Sequence, residues 1–220
     1  MKNFNLKKFK AVFFDMDGVI TDSMPYHFIS WFEVLKKYNV RVAPTTIFEM
    51  EGAKWEKVIK LAFKESGKTL PKKLAVKIRF EREKIFDAYF KRFIFDGIEE
   101  FVLFLKRQGL FVGVVTGSSK TEAAKMLPKK LYKLFDTITA GDMVKKGKPF
   151  PDSYLLAAKN LNVCPAQCLV IENAPYGITA AKAAKMKCFA IATTLPKIFL
   201  QQADEIFNTH KDLYKYFKTH

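Results

Sequence analysis

The chain is poor in the residues that would assign it to several protein classes. It has three cysteines and three histidines in 220 residues. Cys164, Cys168 and Cys188 are an odd set without a paired framework, which argues against a disulfide scaffold. Cys164 and Cys168 are four apart, but Pro165 intervenes and none of His27, His210 and His220 is near, so a zinc site is not expected. No apolar run approaches the ~18 residues that a membrane span needs. The basic start, MKNFNLKKFK, runs into a strand-like stretch without the apolar core and cleavage site of a secretory signal. A cytoplasmic location is expected.

Acidic residues are scarce too: 22 Asp+Glu stand against 38 Lys+Arg, a net charge of +16. Such a surplus invites a nucleic-acid reading. The lysines are spread over the chain, however, at Lys7, Lys8, Lys10, Lys72, Lys73, Lys129, Lys130, Lys133, Lys145, Lys146, Lys148, Lys215 and Lys218. Backbone binding needs a patch or stripe. The expectation is a solvated lysine-rich surface that favours small anions, with no nucleic-acid or membrane partner and a monomeric state.

What is present is apolar and aromatic: 49% hydrophobic residues, 22 of the 220 being Phe. Disorder is thereby excluded, and the length suffices for a large core with an insertion. Strand-like runs at 10–15, 110–116, 135–140, 168–172 and 187–192 alternate with helical segments at 98–109, 119–127, 153–162 and 176–186. This alternation predicts an α/β fold with a doubly wound parallel sheet. Residues 24–94 break the rhythm. Trp31, Val34, Leu35 and Tyr38 recur at helical spacing, as do Trp55, Val58, Ile59 and Ala62, then Ile78, Ile85, Phe86, Tyr89 and Phe90. Three or four helices inserted after the first strand are predicted.

Ligands of such sheets bind at the carboxyl ends of the strands. The first strand ends in Asp15-Met16-Asp17-Gly18, whose two acids can face one site. The second ends in Thr116-Gly117-Ser118, with hydroxyls and N–H groups suited to an anion. Lys148 precedes Pro149 and Pro151, and the fourth strand ends in Glu172-Asn173. Each alone reads as a turn, a helix cap or surface. Together they suit one chemistry: oxygen ligands for Mg²⁺, a hydroxyl and a lysine for phosphate, and carboxylates as nucleophile and proton carrier.

With FFDMDGVITDS, VVTGSS, KGKPFPD and VIENAPYGITAAKAAKM in this order, the sequence resembles the haloacid dehalogenase superfamily over about residues 10 to 208. The insertion, and the stretch DGVITDSMPYHFISW, are similar to the helical-cap subgroup of β-phosphoglucomutase-like enzymes and sugar-phosphate phosphatases. The resemblance implies a catalytic core of 1–22 and 95–220 and a helical cap of 23–94. It implies that Asp15 attacks phosphorus and that Asp17, its pKa raised by adjacent negative charge, protonates the leaving oxygen and then activates water. Thr116, Gly117, Ser118 and Lys148 would hold phosphate. Asp15, the carbonyl of Asp17, Glu172 and Asn173 would hold Mg²⁺.

Two departures bear on function. Asn173 stands where an acid is usual, which removes one negative charge although an amide oxygen can still ligate. MEGAKWEKV corresponds to the mutase loop that grips a second phosphate with basic residues; here it offers Glu51 and Trp55, with Lys54 nearby. That favours a phosphatase for a small phosphorylated metabolite over a β-phosphoglucomutase-type mutase. His27 would touch Asp17, gate the closed state or sit on a helix surface, and Trp31 and Trp55 would be core or cap wall. A third possibility, an inactive basic nucleic-acid-binding protein, is opposed by the intact Asp15, Asp17, Thr116 and Lys148.

Overall fold

The structure is a computed structural model that describes residues 4–71 and 73–219. Met1–Asn3, and Lys72 and His220 noted above, lie outside the described residues. The chain begins with β1 (Ala11–Phe14), followed by α1 (Met24–Lys36), α2 (Pro44–Glu49), α3 (Trp55–Glu65) and α4 (Leu74–Tyr89). Then come α5 (Ile98–Arg107), β2 (Phe111–Val115), α6 (Lys120–Met126), α7 (Lys129–Tyr132), β3 (Thr137–Thr139) and α8 (Asp152–Asn160). It ends with β4 (Cys168–Glu172), α9 (Pro175–Ala183), β5 (Lys187–Ile191), β6 (Glu205–Phe207) and α10 (His210–Lys218). Among the described residues the strands form one six-stranded sheet, ordered β3-β2-β1-β4-β5-β6, with every pairing parallel.

Near-continuous apolar strands are what a parallel sheet covered on both faces requires. Alternation along them separates two cores. Val12, Phe14, Val112, Val114, Leu169, Ile171, Phe189 and Ile191 face one side, packed with Phe101 and Val102 of α5, Ala123 of α6 and Phe217 of α10. Ala11, Phe13, Val170, Cys188 and Ala190 face the other, against Tyr154, Ala157, Ile178, Ala180 and Ala181 of α8 and α9. Alanines are frequent on that second face, beside Phe13 and Tyr154, and let α9 lie close to the sheet. Ala180, Ala181 and Ala184 are buried as part of it, while Ala183 points outward.

The expected helical insertion is present as α1–α4, with its own cluster of Trp31, Val34, Leu35, Val58, Ile59, Ala62 and Ile78. The chain leaves and re-enters the sheet layer side by side: Asp22 N–H donates to Phe93 O (3.1 Å), and Phe95 N–H to Ile20 O (3.0 Å). Two elements of the C-terminal part were not anticipated. β6 is three half-buried residues at the sheet edge, too short to show periodicity. α10 hides Leu213 and Phe217 among lysines and tyrosines.

Candidate active site

The order of the strands places the carboxyl ends of β1, β2 and β4 side by side, where the strand order reverses. Asp15 follows β1 directly and its N–H donates to Ile171 O (2.9 Å), so the chain keeps its register with β4 up to Glu172. Thr116 is pinned beside β3 by its N–H to Thr139 O (3.0 Å). Gly18, at φ +83°, turns the chain away in a backbone conformation that side chains disfavour.

Four charged side chains meet at this edge. The Lys148 ammonium donates to Asp15 Oδ1, and to Glu172 Oε1 at 2.7 Å. Tyr154 Oη also donates to Glu172 Oε1 (2.7 Å), while Glu172 Oε2 accepts from the N–H groups of Asn173 (2.9 Å) and Ala174 (3.3 Å). Glu51, from the turn between α2 and α3, enters from the insertion. One oxygen each of Asp15, Glu51 and Glu172 lies within 4.8 Å of the others. All four residues are buried.

One cation among three carboxyls leaves a surplus of negative charge in a dry site. Burial and the neighbouring acids raise the Asp15 and Glu51 pKa values well above the usual carboxyl range, with Lys148 opposing. Burial works against the Lys148 ammonium, but Asp15 and Glu172 overcome it and keep the lysine charged.

Asp17 sits in a different environment. Ser23 Oγ donates to its Oδ1 at 2.6 Å; Thr116 Oγ1 and Ser118 Oγ donate to its Oδ2 at 3.1 and 3.3 Å. His27 Nε2 lies 2.9 Å from Oδ1. On the other side of that ring, Nδ1 meets the Arg82 guanidinium. His27 thus lies between the Asp17 carboxyl and the Arg82 guanidinium. Burial alone would raise the Asp17 pKa. The His27 ring and the hydrogen bonds from His27, Ser23 and Thr116 override burial and bring the pKa down to about 2. This corrects the expectation of a raised Asp17: the raised carboxyls are Asp15 and Glu51, while His27, Ser23 and Thr116 converge on Asp17 and lower it.

The other expected site residues also fall here. Gly117 forms the tight part of the loop; a Cβ on it would stand 2.5 Å from Gly52 Cα, so this position and the insertion touch backbone to backbone. Ser118 N–H donates to Thr116 Oγ1 (3.0 Å) rather than lying open, and the cap of α6 is Ser119, not Ser118. Asn173 Nδ2 donates to Thr194 Oγ1 (3.0 Å), leaving its buried Oδ1 without a partner. Trp31 and Trp55 line a cavity of about 310 Å³ that reaches Asp17, His27, Glu51 and Gly117. Lys54, expected among the cap residues beside the substrate, lines the same cavity and donates to the main-chain oxygens of Gly141 (2.5 Å) and Val144 (2.8 Å).

Sequence reasoning missed Ser23, Tyr154 and Arg82, and it placed Glu51 near substrate rather than among the strand-end acids. Ser23 and Tyr154 had only proximity to a motif to mark them. Arg82 lies within an amphipathic helix and carries no local signal.

A doubly wound parallel sheet with a carboxylate-centred site at its switch point and an inserted helical layer defines an α/β protein of the Rossmann-like class. The chain belongs to the haloacid dehalogenase-like hydrolases, whose family model matches residues 9–185. It is 32% identical over 183 residues to the fructose-1-phosphate phosphatase YqaB of Escherichia coli, covering 82% of this chain and 95% of that one. It is 31% identical over 196 residues to the β-phosphoglucomutase of Bacillus subtilis, covering 86% of each. A solved chain from Bacteroides vulgatus, provisionally named a β-phosphoglucomutase, superposes with a TM-score of 0.85 at 31% identity, over 96% of this chain and 88% of that one. No helix among the described residues is long and apolar enough to cross a membrane.

Proposed function

We propose that this protein is a Mg²⁺-dependent phosphatase that hydrolyses a small phosphate monoester, a sugar phosphate in particular, through a phosphorylated Asp15. The observation that carries the reading is the convergence of Asp15, Glu51 and Glu172 with Lys148 beneath a cavity of about 310 Å³. In this reading residues 23–94 act as a cap over a core of 1–22 and 95–220.

The donor set fits a hard divalent cation. Asp15 Oδ2, Glu51 Oε2 and Asn173 Oδ1 are buried oxygens without hydrogen-bond partners, and the surplus of carboxyls calls for positive charge. Thr194 orients the Asn173 amide with its oxygen free, as an outer partner of a ligand does. Asp15, Glu172, Asn173 and the main-chain oxygen of Asp17 would hold Mg²⁺, with Glu51 contributed by the cap. Bound there, the ion would offset the charge of the transferring phosphoryl group.

The protein's own residues account for the other requirements. Asp15 attacks phosphorus as the bond to the leaving alkoxide oxygen breaks, and Lys148 holds Asp15 in place. Thr116 and Ser118, whose hydroxyls donate to Asp17 in the substrate-free site, would turn them to the phosphoryl oxygens when substrate enters. Asp17 hands a proton to the leaving oxygen in the first half-reaction, when incoming phosphate charge raises its pKa. As a carboxylate it takes a proton from the water that attacks the phosphorylated Asp15, releasing phosphate.

Phosphatase rather than mutase chemistry is supported by how the cations around the cavity are used. Lys54 is bonded to two carbonyls, Arg79 Nε donates to Glu83 (2.7 Å), and Arg82 faces His27, Ser30 and Glu122. Each already has a partner in the protein, whereas a second phosphate is best held by a cation that is not so engaged. A screen for phosphate release over sugar phosphates, glycerol phosphates and nucleotides, with and without Mg²⁺, tests the reading. Steady Mg²⁺-dependent release from a sugar phosphate supports it. Isomerisation of a hexose 1-phosphate faster than its hydrolysis refutes it in favour of a mutase, and salt-sensitive oligonucleotide binding without turnover refutes it altogether.

A further inference from the structure

Lys54 belongs to the inserted segment, in extended backbone at the start of α3. Its ammonium reaches across to a turn of the sheet layer, the carbonyls of Gly141 (2.5 Å) and Val144 (2.8 Å). That turn is itself tied to the Thr116–Ser118 loop, because Gly141 N–H donates to Ser118 O (2.8 Å). Around this contact glycines let the two layers approach closely. A Cβ on Gly117 would stand 2.5 Å from Gly52 Cα, and one on Gly147 would stand 3.2 Å from Gly52 O and 3.3 Å from Lys54 Cγ. Gly52 also rests on the Lys148 side chain. Three residues before Lys54 is Glu51, among the acids.

We propose that Lys54 is a positioning residue: a latch that fastens the cap to the core in the absence of substrate and so holds Glu51 against Asp15 and Glu172. The proposal rests on the reading of residues 23–94 as a cap. Ammonium-to-carbonyl bonds are charge-assisted and shielded here, so they weigh more than neutral ones. The carbonyl acceptors are main-chain atoms, which no rotamer change can withdraw, so the bond is given up only when the layers separate. A latch of this kind slows opening, and opening is the step that releases product from a lidded enzyme.

Lys54→Met removes the donor, Lys54→Arg restores one, and Gly147→Ala presses on the same seam from the core side. Amide hydrogen exchange on the substrate-free enzyme reads the latch without depending on turnover. In Lys54→Met, peptides covering 51–54 and 116–118 should exchange about 10- to 100-fold faster, while β4 is unchanged. Lys54→Arg should return most of that protection, and Gly147→Ala should lose part of it. With a hydrolysed substrate, KM should rise while kcat holds or increases. Exchange at wild-type rates in Lys54→Met overturns the proposal, whatever the substrate screen finds. So does a kcat that falls as far as kcat/KM, which would place Lys54 on the substrate itself. Faster exchange in an enzyme that hydrolyses none of the phosphate esters would keep the latch and reject the phosphatase reading.

Discussion

Lys148→Met is the sharpest probe of the charge cluster. The Lys148 side chain is 1% exposed, and its two partners, Asp15 and Glu172, are 0% exposed. Methionine matches the length of the stem and deletes the charge, so packing against Gly52 is kept and three buried carboxyls lose their cation. Breaking a buried ion pair from one side costs about 3–5 kcal/mol. For a chain of this size each kcal/mol lowers the melting temperature by about 2–4 °C, so the metal-free variant should melt about 6–20 °C below wild type. A cation supplied from solution should restore part of this. Mg²⁺ at 100 times its dissociation constant adds about 2.7 kcal/mol to either protein, and the variant, with more uncompensated charge, should bind it more tightly and shift further. The measurement is a thermal melt in chelator and across a Mg²⁺ titration. A metal-free melt within about 2 °C of wild type, or a smaller Mg²⁺ shift in the variant, would refute the charge accounting on which the site rests.

Other outcomes are equally specific. Asp15→Asn should reduce phosphate release to background, yet leave the metal-free protein as stable or more so, since it removes one acid from an acid-rich cluster; retained turnover would sink the nucleophile assignment. Glu51→Gln should weaken Mg²⁺ activation by about 10- to 100-fold. In wild type Mg²⁺ binding should tighten as pH rises and the raised Asp15 and Glu51 lose their protons, and Glu51→Gln should flatten that dependence, as isothermal titration at several pH values would show. The Asp17 pKa is lowered from 3.8 to about 2, which contributes on the order of 2 kcal/mol of stability at neutral pH. Because the folded value is the lower one, this stability is present above pH ~3.8 and is lost as pH falls towards 2. Denaturant melts of Asp17→Asn between pH 4 and 2 should therefore be flatter than those of wild type; parallel curves would count against the His27–Ser23–Thr116 environment.

The sheet and the positions of the reactive groups were legible in the sequence because both follow from local pattern. Apolar runs such as KAVFFD and CLVIE can be satisfied only by strands buried on both faces. The residues that end them, Asp15 and Asp17, Thr116, and Glu172 with Asn173, must then lie along one edge. The helical periodicity of 24–94 likewise needed only a 3.6-residue repeat to be seen. β6 escaped because three residues at an edge show no period, and α10 because lysine and tyrosine dilute its two apolar anchors.

What the sequence determined by itself was thus the order of elements, the edge that bears the chemistry and the family. The tertiary structure decided which partner each charge finds. Asp15 and Asp17 are two residues apart, yet one carboxyl is raised and the other held near 2, because burial and neighbouring acids outweigh Lys148 at the first while hydrogen-bond donors surround the second. Arg82 meets the His27 ring across 55 residues, and Lys54 spans 87 to reach Gly141. Pairings of this kind depend on distance in space and on burial, and no spacing along the chain encodes either.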